Sequence, residues 1–265
     1  MVKRIKTYVA TKGAICFLGL ILVITSCGKN SSKNSEITIA PTEVKVKQTR
    51  TLKALKLGQA SDFAILAYAS ITSKPSSSID GKVGLFPGTR KQISLDGTEV
   101  IGGSADIFGS DDETQPINLL SNAKVDMVSA YKDAIGLTPD EDKISLFGGN
   151  LAGKILTPGC YKWNEDLIIS NDFTLIGSEN DVWIFKVSAD LKVAKDVHLI
   201  LAGGANAKNI FWQVAGSAVL ESSSVFAGTI ITQQFVEMKN HAFLNGRAFA
   251  KNGYIILDHA TIKKP

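Results

Sequence analysis

The sequence predicts a mostly β domain that carries one α-helix. Eight short β-branched or aromatic runs fall between residues 167 and 257: 167–169, 173–176, 182–185, 197–201, 209–214, 228–232, 235–238 and 254–257. Gly, Asn, Asp or Ser separates most of them, which is strand-and-turn punctuation. Several alternate apolar with polar residues, as a sheet with one buried face requires. A single stretch, 116–135, has the helical period instead.

The elements follow in chain order. Lys3, Arg4, Lys6 and Lys12 make a basic start. The apolar run Ala14 to Ile24 is 11 residues long, against the ~20 needed to cross a bilayer. It ends in Ile24-Thr25-Ser26-Cys27. This is the layout of a secretory signal over residues 1–26, with an uncleaved membrane anchor as the alternative. The tetrapeptide resembles the bacterial lipobox, which implies lipidation of Cys27 and a membrane anchor. Gly28, where inner-membrane retention would use Asp, implies an outer-membrane lipoprotein of the bacterial envelope, periplasmic or surface-exposed.

Residues 27–56 are rich in Ser, Lys, Asn and Thr and read as a flexible tether. Residues 28–56 hold seven Lys/Arg and two Asp/Glu, whereas 57–265 hold 18 and 23. A mildly acidic domain argues against nucleic acid as a partner. The basic tether suits anionic headgroups or a plain solvated spacer. With Cys16 in the signal and Cys27 lipidated, Cys160 alone remains, so the domain has no internal disulfide. Thr157-Pro158-Gly159-Cys160-Tyr161 is a turn leading into a strand, and Cys160 reads as structural.

One domain, 57–265, fits the remaining length. In 116–135 the apolar or small stripe runs Leu120, Ala123, Met127, Ala130/Tyr131, Ala134. Pro116 suits the first turn and Gly136 the stop. Asp111, Asp112 and Glu113 are expected to favour the helix N-terminus, with cation binding as the alternative. Gly-Gly pairs recur at 102–103, 148–149 and 203–204 without a fixed period. Sandwich, barrel and solenoid all remain open on these grounds.

Six phrases narrow the choice. They are Leu57-Gly58-Gln59-Ala60-Ser61-Asp62-Phe63; Ile79-Asp80-Gly81-Lys82-Val83-Gly84; Leu156-Thr157-Pro158-Gly159-Cys160-Tyr161-Lys162-Trp163; Asn180-Asp181-Val182-Trp183-Ile184-Phe185; Asn209-Ile210-Phe211-Trp212-Gln213-Val214; and Leu244-Asn245-Gly246-Arg247. In this order they resemble the microbial ice-binding (antifreeze) protein family, over residues 57–265. The resemblance implies an irregular right-handed β-solenoid of triangular section, with one long α-helix packed alongside and a capping insertion before it. It also implies ice as the partner, a monomer, no cofactor and no enzymatic activity. Trp163, Trp183 and Trp212 are then core or corner residues.

Family members place Thr, Ser, Ala and Gly on one solenoid face. The corresponding outward set here is Ser217, Val219, Glu221, Gln234, Glu237, Lys239, Tyr254, Ile256 and Asp258, bulkier and more charged. A solenoid adhesion or scaffold module is therefore the alternative. Ser70-Ile71-Thr72-Ser73 and Ser76-Ser77-Ser78 form a second candidate stretch, and Thr229 and Thr232 belong to another strand phase. No Gly-x-Ser-x-Gly or His-Glu-x-x-His occurs. The three histidines, His198, His241 and His259, read as corner or surface residues rather than metal ligands. Glu221, Glu237 and Asp258 would need a groove and a suitable spacing for glycoside hydrolysis.

Overall fold

The computed structural model describes residues 52–113 and 118–265. The signal, Cys27, most of the tether and Pro116 lie outside the described residues. Leu52 and Leu55 pack against a buried cluster beneath the helix.

The described strands form three parallel sheets of ten, seven and three strands. One turn of chain visits each in succession: Trp183–Val187 in the ten-stranded sheet, Leu191–Val193 in the seven-stranded sheet, Leu199–Ala202 in the three-stranded sheet. Ile210–Val214 then starts the next turn beside Trp183–Val187. This is the expected three-sided β-solenoid. Register shows why no repeat length was visible. Leu167 pairs Leu191 after 24 residues, Leu191 pairs Ala218 after 27, Ala218 pairs Val236 after 18, and Val236 pairs Ile255 after 19.

The solenoid is discontinuous in sequence. Phe63–Ala67, Ile71–Lys74 and Ser78–Asp80 pair with the last turns, Phe243–Ala250, Ile255–Asp258 and Thr261–Lys263. A segment rich in short 3-10 turns follows the strand Lys82–Leu85, in the place expected for the capping insertion. The helix Leu119–Gly136 comes next, and Gly159–Trp163 sits at the opposite edge of the ten-stranded sheet. Later turns add back toward the first.

Inside, aromatic rings stack from turn to turn. Phe185 lies 5.1 Å from Tyr161 and 3.9 Å from Trp212. Trp163, Trp183 and Trp212 are fully buried, as core residues should be. Their indole N–H groups donate to the carbonyls of Leu146, Leu156 and Ala227, which satisfies the one polar atom each ring carries.

A second cluster lies between the ten-stranded sheet and the helix. Leu120, Ala123, Met127, Ala130, Tyr131 and Ala134 meet Phe63, Cys160, Ile184, Phe211, Ile231 and Phe249. The stripe is the one the sequence predicts, and its alanines let the helix lie close to the sheet. The buried Cys160 thiol belongs to this packing.

The acidic triplet behaves differently from expectation. Asp111 accepts from the backbone N–H of Arg90, opening a 3-10 turn rather than the helix. The helix begins after Asn118, with no acidic residue in its first turn. Its other end is capped from the sheet. Lys186 Nζ donates to the carbonyls of Ile135 and Leu137 at 2.7 and 2.6 Å, a cation placed where the dipole is negative.

Corners use left-handed backbone. Gly203 and Gly204 have φ of +69° and +105°, cheap only without a Cβ. At another corner Asp196, Ser223, His241 and His259 hold φ of 51–59°. They are joined rung to rung by backbone bonds from Asp196 to Ser222, Ser223 to Asn240 and His241 to His259.

Candidate functional surface

Parallel sheets are usually covered on both faces. The seven-stranded sheet is covered on one. Its strands read buried–out–buried, as in Leu167–Ile169, Leu191–Val193, Ala218–Leu220 and Val236–Met238. Inward residues feed the core. Outward residues fall into register as one rank across all seven strands: Ser94, Thr72, Ile256, Glu237, Val219, Lys192 and Ile168. Strand spacing of ~4.8 Å makes this a regular row.

The structure brings most of the expected set together on this face, with two corrections. Ser217 is only 4% exposed. Its N–H donates to Asp190 and its hydroxyl to Gln234, so it lies under the surface rather than on it. Gln234 belongs to the preceding turn, and Phe235 takes the outward position. Its ring stacks on Tyr254 at 5.1 Å and 2°. The cause is phase: Val236 points inward, so its neighbours at 235 and 237 point out.

Two pairs of residues on this face were not assigned to it by sequence reasoning. Ile168 and Lys192 extend the rank at one end, Thr72 and Ser94 at the other. The alternation in Leu167-Ile168-Ile169 and Leu191-Lys192-Val193 was a usable signal for the first pair. Thr72 was noticed only as a separate polar stretch. It stands beside Ile256 because its strand pairs with one 184 residues later. Ser73 and Ser77 of that stretch instead bond Glu99, which is buried. Thr229 and Thr232 are fully buried in the ten-stranded sheet.

The flanking rank is charged and alternates in sign: Lys74, Asp258, Lys239, Glu221. Lys74 meets Asp258 at 2.7 Å and Lys239 meets Glu221 at 2.6 Å. The Lys74 ammonium first, and His259 second, hold the Asp258 carboxyl below the usual carboxylate range. Glu221 holds the Lys239 ammonium above the usual lysine range. Lys192 sits between Asp166 at 2.6 Å and Asp190 at 3.7 Å. Charges here neutralise one another across rungs.

A glycosidic acid needs a carboxyl with a raised pKa, and Asp258 is shifted the other way. Glu221 is engaged with Lys239. His259 Nδ1 lies 2.6 Å from Asp258, but that carboxylate is already bridged to Lys74. His241 lies at the same corner, its N–H bound to the His259 carbonyl. Among the described residues no group of three or more His, Cys, Asp or Glu converges as metal ligands would.

Comparison with known proteins places this architecture. Residues 65–263 match the family described as ice-binding-like. An ice-binding protein of Flavobacterium frigoris (strain PS1) is 42% identical over 222 residues, covering 83% of this chain and 79% of that protein. One from a Colwellia species is 37% identical over 215 residues, covering 80% and 84%. The crystal structure of a glycosylated ice-binding protein from an Arctic yeast superposes with a TM-score of 0.77 at 33% identity, covering 82% of this chain and 96% of that one. A Shewanella frigidimarina ice-binding protein domain gives 0.74 at 25% identity, covering 82% and 99%.

Proposed function

The chain belongs to the ice-binding-like family, and from that premise we propose that it adsorbs to ice through the open face of the seven-stranded sheet. The observation that carries this reading is the seven-rung outward rank. Ice presents no single group to grip, so affinity must come from many weak contacts on a surface that loses little entropy on binding. A sheet anchored on a packed core is such a surface.

The contact set we propose is Val219, Glu221, Phe235, Glu237, Lys239, Tyr254, Ile256 and Asp258, centred on the rank through Val219, Glu237 and Ile256. Glu221 pairs with Lys239 and Asp258 with Lys74, which lowers their effective charge. The N-terminal sequence, with Ile24-Thr25-Ser26-Cys27 at its end, supports a bacterial lipoprotein anchored through Cys27 at the cell envelope; action as a monomer and without catalysis is proposed from the family alone. Cys27→Ala should abolish fatty-acid labelling of the chain and release it from membranes; labelling that persists removes the anchor from the proposal.

The purified chain is expected to shape ice crystals and to inhibit recrystallisation. Val219→Tyr, a bulky change in the middle of the rank, should cut thermal hysteresis by roughly half or more, as a central contact does. Full hysteresis in this variant would move the site to another face. The alternating Lys74–Asp258–Lys239–Glu221 rank favours a second reading, an adhesion or scaffold module. Round, unshaped crystals at high protein concentration, together with specific glycan or cell binding, would select it.

A further inference from the structure

We propose that the three-stranded sheet, around the corner from the seven-stranded one, is a second ice-contacting surface. This inference rests on the ice-binding reading above. The strands Ile155–Leu156, Phe173–Ile176 and Leu199–Ala202 lie in parallel register. Outward, they align Ile155 with Thr174 and Ile200 in one row and Ile176 with Ala202 in the next. Phe173, Leu175 and Leu199 point into the core.

Two features set this surface apart. Ile155, Ile176 and Ile200 are 67%, 43% and 47% exposed. Of the four strand-borne isoleucines so exposed among the described residues, these are three, with Ile168 on the seven-stranded sheet the fourth. Selection against aggregation normally keeps such side chains apart, so their gathering on one sheet calls for a ligand. Second, neither row contains a charge. On the seven-stranded sheet Lys192 and Glu237 stand in the central rank itself. Charges near the smaller sheet lie at its margins and are engaged: Asp172 with His198, Lys208 with Glu179, and Lys154 over the Phe147 ring.

An uncharged, periodic crystal is the partner that fits. Ionic groups hold their own hydration shell and resist surrender to a lattice. Ile and Thr carry methyl groups fixed at χ1 by β-branching, in rows ~4.8 Å apart across the sheet. The surface continues past this sheet, since a parallel bridge joins His198 to Val225, which pairs in turn with Phe243. Two faces meeting at a corner would let one molecule adsorb to more than one ice plane.

The test compares full-length wild type with Thr174→Tyr, Ile200→Tyr and Val219→Tyr, each checked for a native circular dichroism spectrum. The readouts are thermal hysteresis and the planes stained on a single ice crystal by fluorescently labelled protein. Thr174→Tyr and Ile200→Tyr should lose a stained plane that Val219→Tyr retains, and should lower hysteresis. Active wild type with unchanged staining in both variants overturns this inference alone. Wild type that leaves crystals unshaped overturns the ice-binding reading with it. Concentration-dependent dimerisation that Ile155→Asp abolishes would assign the rows to a second copy of the chain and overturn the inference as well.

Discussion

The ten-stranded and seven-stranded sheets share one core but finish their outer faces in opposite ways. In the ten-stranded sheet Trp183–Val187 and Ile210–Val214 are buried at every position, because the helix covers them. In the seven-stranded sheet every second residue is left outside. One sheet is continuous core and the other ends at water. The difference teaches where function can reside. Outward positions of the covered sheet are committed to packing, whereas those of the open sheet contribute little to folding and are available to bind. The Thr-rich pattern expected of the family is absent from this open face, so its regularity comes from backbone register more than from residue type.

The contrast can be broken most strongly under the helix. Met127→Ala should destabilise the chain by about 3 kcal/mol, the cost of a cavity at a fully buried position, whereas Val219→Ala on the open face should stay within about 0.5 kcal/mol. Equal costs in urea unfolding would contradict the assignment of core and free surface. Lys186→Met comes next. It leaves the Ile135 and Leu137 carbonyls without their charged donor, and a loss of about 2 kcal/mol is expected, with the last helical turn exchanging its amides faster.

A smaller effect is expected from pH. Burial, and then the charge of Lys251, pulls the Lys124 ammonium down to about 8. The unfolded chain then holds more protons than the folded one between that value and the ordinary lysine range. Stability should therefore rise with pH across this window, and Lys124→Met should flatten the rise. On the open face Asp258 is shifted down, so its contribution is present above the ordinary carboxylate range and fades as pH falls through its folded value. The pair is exposed and screened. Lys74→Met is expected to leave the melting temperature unchanged in a thermal unfolding scan.

Much of this molecule was legible in the residues. The helix stripe from Leu120 to Ala134 emerged from its period. The burial of Trp163, Trp183 and Trp212 is what the family resemblance implied. The outward positions of 219, 237 and 256 followed from alternation. Phase errors arose where alternation stops, as at Gln234 and Phe235, where the chain leaves a turn and the count of two begins afresh. Ser217 was misjudged because alternation cannot see that Gln234 and Asp190 fold over it.

The sequence by itself determined what is local: short strands, one amphipathic helix, the corners, and the order of phrases that marks the family. Tertiary structure alone decided what is distant. It joined Ile71–Lys74 to Ile255–Asp258, merged two separate candidate stretches into one rank, turned Asp111 from the helix to Arg90, and set the uncharged rows of Ile155, Thr174 and Ile200 side by side. The physical reason is that alternation and helical period arise within a strand or helix. Which strand lies beside which depends on closing the solenoid over its shared core, across as many as 184 residues.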